Sequence, residues 1–201
     1  MIAGFSDSRR FVLRAGAAAV AAGLLAACKQ KPAFNSTDVS GSDLGTDLSL
    51  TDFNGQPRTL QDFKGKVLVV FFGFVQCPDV CPTTLADFVQ VKNLLGKEGE
   101  RVQVVFVTVD PERDTPEVLR QYVTQFDSSF LGLRGDPDAT ARVAKSFKVF
   151  YAKVPGKEPG SYTMDHTAGV YIFDPEGQLR LFARHNSGAE ALASDIRQLL
   201  A

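Results

Sequence analysis

The sequence contains no tryptophan, and it has only two histidines, two methionines and three cysteines among its 201 residues. It also lacks an excess of positive charge, since 22 Lys and Arg stand against 23 Asp and Glu, which gives no support to a nucleic-acid-binding surface. Hydrophobic residues make up 44% and charged residues 22%, which argues against a largely disordered chain and against a protein with many membrane spans. The length suits one domain, and each cysteine and histidine can be examined singly.

The N-terminal segment, residues 1–27, has the pattern of an export signal. Arg9 and Arg10 lie in a basic start that precedes an apolar run of small residues from 15 to 27, which predicts a secretory signal peptide. The surrounding residues resemble a twin-arginine signal, although Val12 stands where that pattern usually has Phe. The alternative is a short membrane anchor that is never cleaved.

The sequence LAAC at 25–28 resembles a bacterial lipobox, in which Cys28 is acylated and becomes the first residue of the mature protein. Residues 28–46 are polar, rich in Gly and Ser, and without periodicity, so we predict a flexible tether. The folded domain is then expected over 47–201, lipid-anchored at the periplasmic face of a bacterial membrane. Either reading of the N-terminus places the domain in an oxidising compartment at a membrane surface.

The remaining chain reads as an α/β domain. An Asn54-Gly55 turn predicts a hairpin near its start, and two continuous apolar runs, 67–74 and 102–109, predict central strands covered on both faces. Residues 152–165, with two Pro-Gly steps, are predicted to form a loop. The order of elements predicts a thioredoxin-like α/β sandwich with an N-terminal hairpin. The remaining predicted elements are helices at about 83–95, 115–126, 136–147 and 188–200, and an antiparallel pair at 168–173 and 178–183.

Cys77 and Cys81 lie between the first central strand and the next helix, flanked by Pro and Asp. Cysteines four apart on a helical turn face the same way, so their sulfurs can share a metal ion or close a disulfide after a modest adjustment. A helix N-terminus favours the thiolate, which is both ligand and nucleophile. Two inert core cysteines are the alternative, but the carboxyl end of a central strand is where open α/β sheets place their sites.

His166 is the better candidate for a third group. In a thioredoxin-like sheet, the strand that follows His166 lies beside the central strand and runs against it, so its start abuts the cysteines. His185 ends the next strand, one strand spacing further out. Asp165 could orient a partner or solvate a loop, and Met164 could be an outer thioether contact or core packing.

Two thiolates and one imidazole suit a soft or borderline ion, with copper and zinc as the leading choices. Structural zinc normally takes four protein ligands, which this chain supplies from Cys and His only if His185 is recruited. A three-coordinate site suits Cu(I), and trigonal Cys/His geometry also serves Cu(II), so copper is favoured.

Three motifs in order resemble the Sco/SenC family of copper proteins: GFVQCPDVCP at 73–82, VDPERDTPEVL at 109–119 and DHTAGVYIFDPEG at 165–177. The likeness covers roughly residues 45–200. It implies a membrane-tethered, thioredoxin-like protein that binds copper through two Cys and one His, which would be Cys77, Cys81 and His166.

The resemblance also implies a function, which is assembly of the binuclear copper site of cytochrome c oxidase by copper delivery, by reduction of the recipient cysteines, or both. We therefore expect a monomeric metallochaperone whose partner is the copper-bearing oxidase subunit, rather than an enzyme. A thiol–disulfide oxidoreductase with Cys77 and Cys81 as its redox pair is the alternative, although that activity gives His166 no necessary role. A peroxidase is disfavoured because Thr83 follows the cysteine pair instead of preceding it.

Two features of these motifs concern neighbouring residues. Val75 stands where the family commonly has Thr or Ser, which could alter a hydrogen bond near Cys77. Asp110 and Asp114 match the family's acidic motif and could be carboxylates near the site or facing a partner. The simpler reading is that Asp110 makes a turn with Pro111 and that Asp114 caps the next helix, and we prefer it for Asp114.

Overall fold

The computed structural model describes residues 33–201, so the predicted signal peptide and the lipidation of Cys28 lie outside the described residues. Within that range no helix combines the length and the hydropathy that a membrane span requires. The strands are β1 Thr37–Asp38, β2 Leu50–Asp52, β3 Pro57–Arg58, β4 Val67–Gly73, β5 Val102–Thr108, β6 Leu131–Arg134, β7 Tyr151–Pro155, β8 Tyr162–His166, β9 Gly169–Phe173 and β10 Leu179–Arg184. The α-helices are α1 Val80–Leu95, α2 Pro116–Thr124, α3 Pro137–Ser146 and α4 Ala189–Leu200.

The main sheet is built around β4, whose seven residues are all buried. Its strand order is β1-β10-β9-β4-β5-β6-β2-β3. β4, β5 and β6 run parallel, and β9 runs antiparallel to β4 on its other side. A strand with two hydrogen-bonded neighbours and two covered faces needs a continuous apolar sequence, and VLVVFFG supplies it.

The two faces of β4 pack into two separate cores because successive side chains of a strand point to opposite sides. Val67, Val69 and Phe71 pack with apolar residues of α1, α2 and α4. Leu68, Val70 and Phe72 pack with residues of α3 and of the β7–β8 hairpin. The thioredoxin-like α/β sandwich predicted from the sequence is confirmed, including the small N-terminal hairpin β2–β3 and the antiparallel pair β9–β10.

The sequence prediction was wrong at two places in the middle of the chain. β6 was not predicted, since its four residues LGLR contain a glycine and show no alternation. Residues 152–165 were predicted as a loop, but β7 and β8 form a separate two-stranded sheet. The Pro and Gly residues that suggested a loop lie at the tip of this hairpin, between Pro155 and Tyr162, while the strands on either side alternate in burial only weakly.

The predicted flexible tether over 28–46 does not hold from residue 34 onward, because residues 34–46 pack on the domain. β1 pairs with β10 at the edge of the sheet. The carboxylate of Asp195, which is 0% exposed, accepts hydrogen bonds from the backbone N–H of Asn35 and of Ser36, both at 2.8 Å. The compact unit therefore begins at Phe34 instead of residue 47. Composition could not predict this, since the partners lie at the other end of the chain.

This attachment predicts that a fragment starting at the sequence-based boundary will be unstable. Deleting residues 1–46 removes the backbone amides that bind the Asp195 carboxylate, and each hydrogen bond to a charged group contributes about 1.5–3 kcal/mol. We expect a fragment of residues 47–201 to unfold at lower denaturant concentration than a fragment of residues 34–201, with a stability difference of about 3 kcal/mol or more. Equal denaturant midpoints for the two fragments would show that the segment adds nothing.

Candidate metal centre

The two cysteines occupy different depths at the carboxyl end of β4. Cys77 lies in a turn after the strand, where its N–H donates to the carbonyl of Phe74 at 3.2 Å, and its side chain is partly exposed. Cys81 lies in the first turn of α1 and is completely buried. The Cys81 N–H points at the Sγ of Cys77 at 3.4 Å, so the helix start supplies a donor to the outer sulfur.

Cys81 fits below the strand end because residue 73 has no side chain. A Cβ placed on Gly73 would lie 2.7 Å from the Sγ of Cys81 and 2.7 Å from the ring of Phe106. Real Cβ atoms essentially never approach other heavy atoms so closely. The glycine at the end of β4 is therefore a spatial requirement for the inner cysteine.

His166 reaches the cysteines from the end of β8. Its Nε2 lies 3.9 Å from the Sγ of Cys81, and its Nδ1 lies 3.1 Å from the carbonyl oxygen of Thr167. Because a carbonyl can only accept, Nδ1 carries a proton, and Nε2 is the ring nitrogen that faces the sulfurs. The ring is held edge-on between Phe71 and Phe74, with centroid distances of 6.4 and 5.9 Å.

The structure thus brings Cys77, Cys81 and His166 together, with their candidate ligand atoms all within 4.8 Å of one another. Three ligand atoms in a trigonal plane, each about 2.0–2.3 Å from one ion, lie about 4 Å apart. The 3.9 Å between Cys81 and His166 meets this spacing. The donor set of two sulfurs and one imidazole nitrogen fits a soft or borderline metal ion after small adjustments.

The two thiols differ in acidity as well as in depth. The hydrogen bond from the side chain of Cys81, with further backbone donors at Asp79 and Cys81, lowers the pKa of Cys77 to about 5. The same interaction, together with burial, raises the pKa of Cys81. The outer cysteine is therefore a thiolate at neutral pH, ready to act as a ligand or a nucleophile, and the pair shares one proton held by Cys81.

The other candidates from the sequence lie outside this group. The Nδ1 of His185 lies 3.4 Å from the hydroxyl of Thr84, and the ring is not part of the ligand cluster found among residues 33–201. Met164 packs in the core beneath the hairpin, and Asp165 faces solvent on the opposite side of β8. Met164 therefore has the packing role that was one of its two readings.

Asp114 does not cap the next helix, contrary to our preferred reading. Thr115 caps α2 by accepting from the N–H of Val118. The buried carboxylate of Asp114 instead accepts from the backbone N–H of Val75 at 3.1 Å and from the hydroxyl of Thr108 at 2.5 Å. Burial raises the pKa of Asp114. Asp114 therefore fixes the loop that follows β4 and carries Cys77 (the cysteine loop) through the backbone N–H of Val75. The side chain of Val75 is not involved.

Sequence reasoning missed three polar residues beside the site, which are Arg113, Gln76 and Tyr162. Arg113 forms an ion pair with Asp110 and hydrogen-bonds both Gln76 and Tyr162. The only signal in the sequence is that Arg113 belongs to the PERD motif at 111–114, where it stands between Asp110 and Asp114. Its other partners are 37 and 49 residues away, so the contact could not be inferred from spacing.

A model of the SCO1/SenC family matches residues 36–201. The chain belongs to this family. Its relatives include the mouse (Mus musculus) protein SCO2 homolog, mitochondrial, which is 38% identical over 157 residues, 77% of this chain and 62% of the relative. The first curated relatives that the chain matches are longer, and it spans about 60% of their length.

Solved SCO1/SenC structures share the fold. Bradyrhizobium japonicum ScoI with copper bound is 41% identical, with a TM-score of 0.71, covering 78% of this chain and 99% of that one. Apo Sco1 from Thermus thermophilus is 40% identical, with a TM-score of 0.75, covering 85% and 99%. The domain after residue 33 is therefore of the Sco type almost throughout.

The close approach at Gly73 predicts that Gly73→Ala weakens metal binding. The new Cβ must displace the Sγ of Cys81 or the ring of Phe106, which we expect to lower metal affinity about tenfold and stability by about 1–3 kcal/mol. Gly132→Ala in β6 is the matched control, because its Cβ would meet only the side chains of Leu119 and Phe53, at 3.2 Å or more. Metal titration of both variants decides, and equal affinities would contradict the requirement.

The difference between the thiols predicts selective alkylation of the reduced, metal-free protein. The reactive fraction of Cys77 should rise as pH increases through about 5 and stay level above pH 7, because its folded pKa is about 5. Cys81 should react far more slowly at every pH because it is buried and protonated. Iodoacetamide labelling with peptide mass spectrometry separates the sites. A Cys77 midpoint near the ordinary thiol value of about 8.5 would refute the assignment.

Proposed function

We propose that the protein is a copper-binding metallochaperone that serves assembly of the copper site of cytochrome c oxidase. The observation that carries the proposal is the convergence of Cys77, Cys81 and His166 at the carboxyl end of β4. Membership of the SCO1/SenC family and the copper bound by ScoI from B. japonicum support copper as the ion.

The number of donors favours copper over structural zinc. Structural zinc sites use four protein ligands, whereas only three Cys, His, Asp or Glu residues converge at this place in residues 33–201. His185, which could have been the fourth, faces Thr84. Cu(I) is satisfied by two thiolates and one imidazole, and the buried Cys81 and the aromatic walls keep the site partly dry.

Copper is cargo in this function, so the site must release it as well as bind it. Cys77 is the ligand that solvent and an incoming protein can reach, since Cys81 is buried. A thiolate of the recipient can bond to the copper while the bond to Cys77 is broken, with no change in the oxidation state of the metal. The side chain of Phe150, which is 64% exposed and immediately precedes β7, offers an apolar contact for such a partner.

The proposed partner is the copper-bearing subunit of cytochrome c oxidase, and we propose that this protein binds it as a monomer. A solved Sco protein, BsSco, is described as belonging to a family of cytochrome c oxidase assembly proteins. The LAAC motif at 25–28 and the basic segment before it support a lipid anchor on Cys28 at the periplasmic face of the membrane.

The second candidate function is reduction of the recipient's cysteines, and the lowered pKa of Cys77 favours it. The Cys77 thiolate would attack a disulfide of the partner and form a mixed disulfide, and one partner thiolate would leave. Cys81 would then lose its proton and attack Cys77, which releases the second thiolate and leaves a Cys77–Cys81 disulfide. Two electrons pass to the partner, and His166 takes no necessary part.

Copper titration of the reduced protein tests the proposal. We expect the unaltered protein to bind one copper per chain. In His166→Ala, copper affinity should fall about tenfold or more, and the Cu(II)–thiolate absorption band should be shifted or absent. Cys77→Ser and Cys81→Ser should lose copper more completely, because soft thiolates dominate affinity for Cu(I).

His185→Ala is the matched control, since it removes the other histidine at the same end of the sheet and should bind copper as the unaltered protein does. Equal copper retention by His166→Ala, Cys77→Ser, Cys81→Ser and His185→Ala would contradict the proposed chaperone function. Failure to retain copper, together with a readily reversible Cys77–Cys81 disulfide, would favour the reductase instead.

A further inference from the structure

The side chain of Arg113 joins three segments that surround the metal centre. Its Nε donates to the carboxylate of Asp110, in the turn after β5. Its Nη1 donates at 2.9 Å to the side-chain oxygen of Gln76 and at 2.9 Å to the backbone carbonyl of Tyr162. The guanidinium also lies 3.7 Å from the centre of the Tyr162 ring, which is within stacking distance.

Each segment that Arg113 contacts leads directly to a candidate ligand or to its support. Gln76 immediately precedes Cys77, and Tyr162 begins β8, which ends at His166. The ring of Phe74 is a neighbour of both groups, with its centre 6.0 Å from the Arg113 guanidinium and 5.9 Å from the centre of the His166 ring. The Arg113 side chain therefore contacts both halves of the centre, which are the cysteine loop and the β7–β8 hairpin that ends at His166 (the histidine hairpin).

The histidine hairpin needs such a contact because its backbone is not part of the main sheet. β7 and β8 pair only with each other among the strands of residues 33–201. Their position against the domain depends on side chains, chiefly Met164 in the core and the contacts of Tyr162. The Lys153–Glu112 ion pair is exposed on both sides and adds little.

The pair of Arg113 and Asp110 is well placed to be rigid. Asp110 is 1% exposed, and its second oxygen accepts from the hydroxyl of Tyr162 at 2.9 Å. A buried carboxylate requires a cation, so the pair cannot separate cheaply. Only a planar, forked guanidinium can donate in three directions and stack on a ring at the same time, which lysine cannot do.

We infer that Arg113 is a positioning residue. It holds the histidine hairpin against the cysteine loop and so sets the distance between the imidazole and the two sulfurs. This role rests on the proposed copper-binding function. It makes the PERD motif part of the centre's construction, with Arg113 acting through Tyr162, Gln76 and Phe74 and touching no metal itself.

The test uses Arg113→Lys, which keeps the positive charge opposite Asp110 but loses the fork and the stacking. We expect copper stoichiometry to remain one, copper affinity to fall about tenfold, and the Cu(II)–thiolate band to shift toward that of His166→Ala. Amide hydrogen exchange in β8 of the metal-free full-length protein should become about tenfold faster, because the hairpin is released.

Arg120→Lys is the matched control. Arg120 also contacts an aromatic ring, that of Phe53 at 5.2 Å, and donates to the side chain of Asn54 at 2.8 Å, but on α2 away from the centre. The Arg120→Lys variant should leave amide hydrogen exchange in β8 and the Cu(II)–thiolate absorption band unchanged. Tyr162→Phe is the second variant, since it keeps the ring and removes only the bond to Asp110, and a smaller change in the same direction is expected.

The outcomes separate this inference from the proposed function. If the unaltered protein retains no copper, the proposed function fails, and β8 exchange in the metal-free protein still decides the role of Arg113. If β8 exchange and the absorption band are unchanged in both Arg113→Lys and Tyr162→Phe, the inference is overturned. If Arg113→Lys does not fold, Tyr162→Phe supplies the same two measurements.

Discussion

The candidate metal centre depends on the contact between the end of a buried strand and the first turn of the helix that follows it. Gly73 allows the Sγ of Cys81 to sit against the strand, and the helix start then directs a backbone N–H toward Cys77. The rest of the site is arranged around this contact. Asp114 fixes the intervening loop through Val75, and His166 closes the third side with its ring wedged between two phenylalanines.

The convergence of Cys77, Cys81 and His166 could be predicted from the sequence, whereas the residues that hold them in place could not. The cysteines lie four apart after an apolar run, and the pairing of β9 with β4 brings His166, which shortly precedes β9, close to them across 85 residues. Arg113 and Asp114 also lie in a recognisable motif, but their partners are fixed by three-dimensional packing. Asp114 shows the difference clearly, because local rules assign it to a helix cap, while the adjacent Thr115 takes that position and frees the carboxylate for the loop.

The same limit applies to the fold. Strands β4 and β5 could be predicted because burial on both faces imposes a long apolar run. β6 has four residues, and the β7–β8 hairpin has five residues on each side with mixed burial, so neither carries a periodic pattern strong enough to read. The polar segment over 34–46 looks like a linker by composition, and it is ordered by a carboxylate that comes 160 residues later.

That last pairing also determines when the domain can be completed during folding. β1 and Asn35 come first in the domain, and their partners, β10 and Asp195, come last. Contacts between residues this far apart in the sequence slow folding, because the entropy of loop closure is lost before the contacts can compensate for it. A chain that stops before Asp195 would possess Cys77, Cys81 and His166 but would lack the carboxylate that binds the backbone of Asn35 and Ser36 and the last buried residues of α4. Premature termination in the final helix should therefore destabilise the domain without removing any of the three candidate ligands.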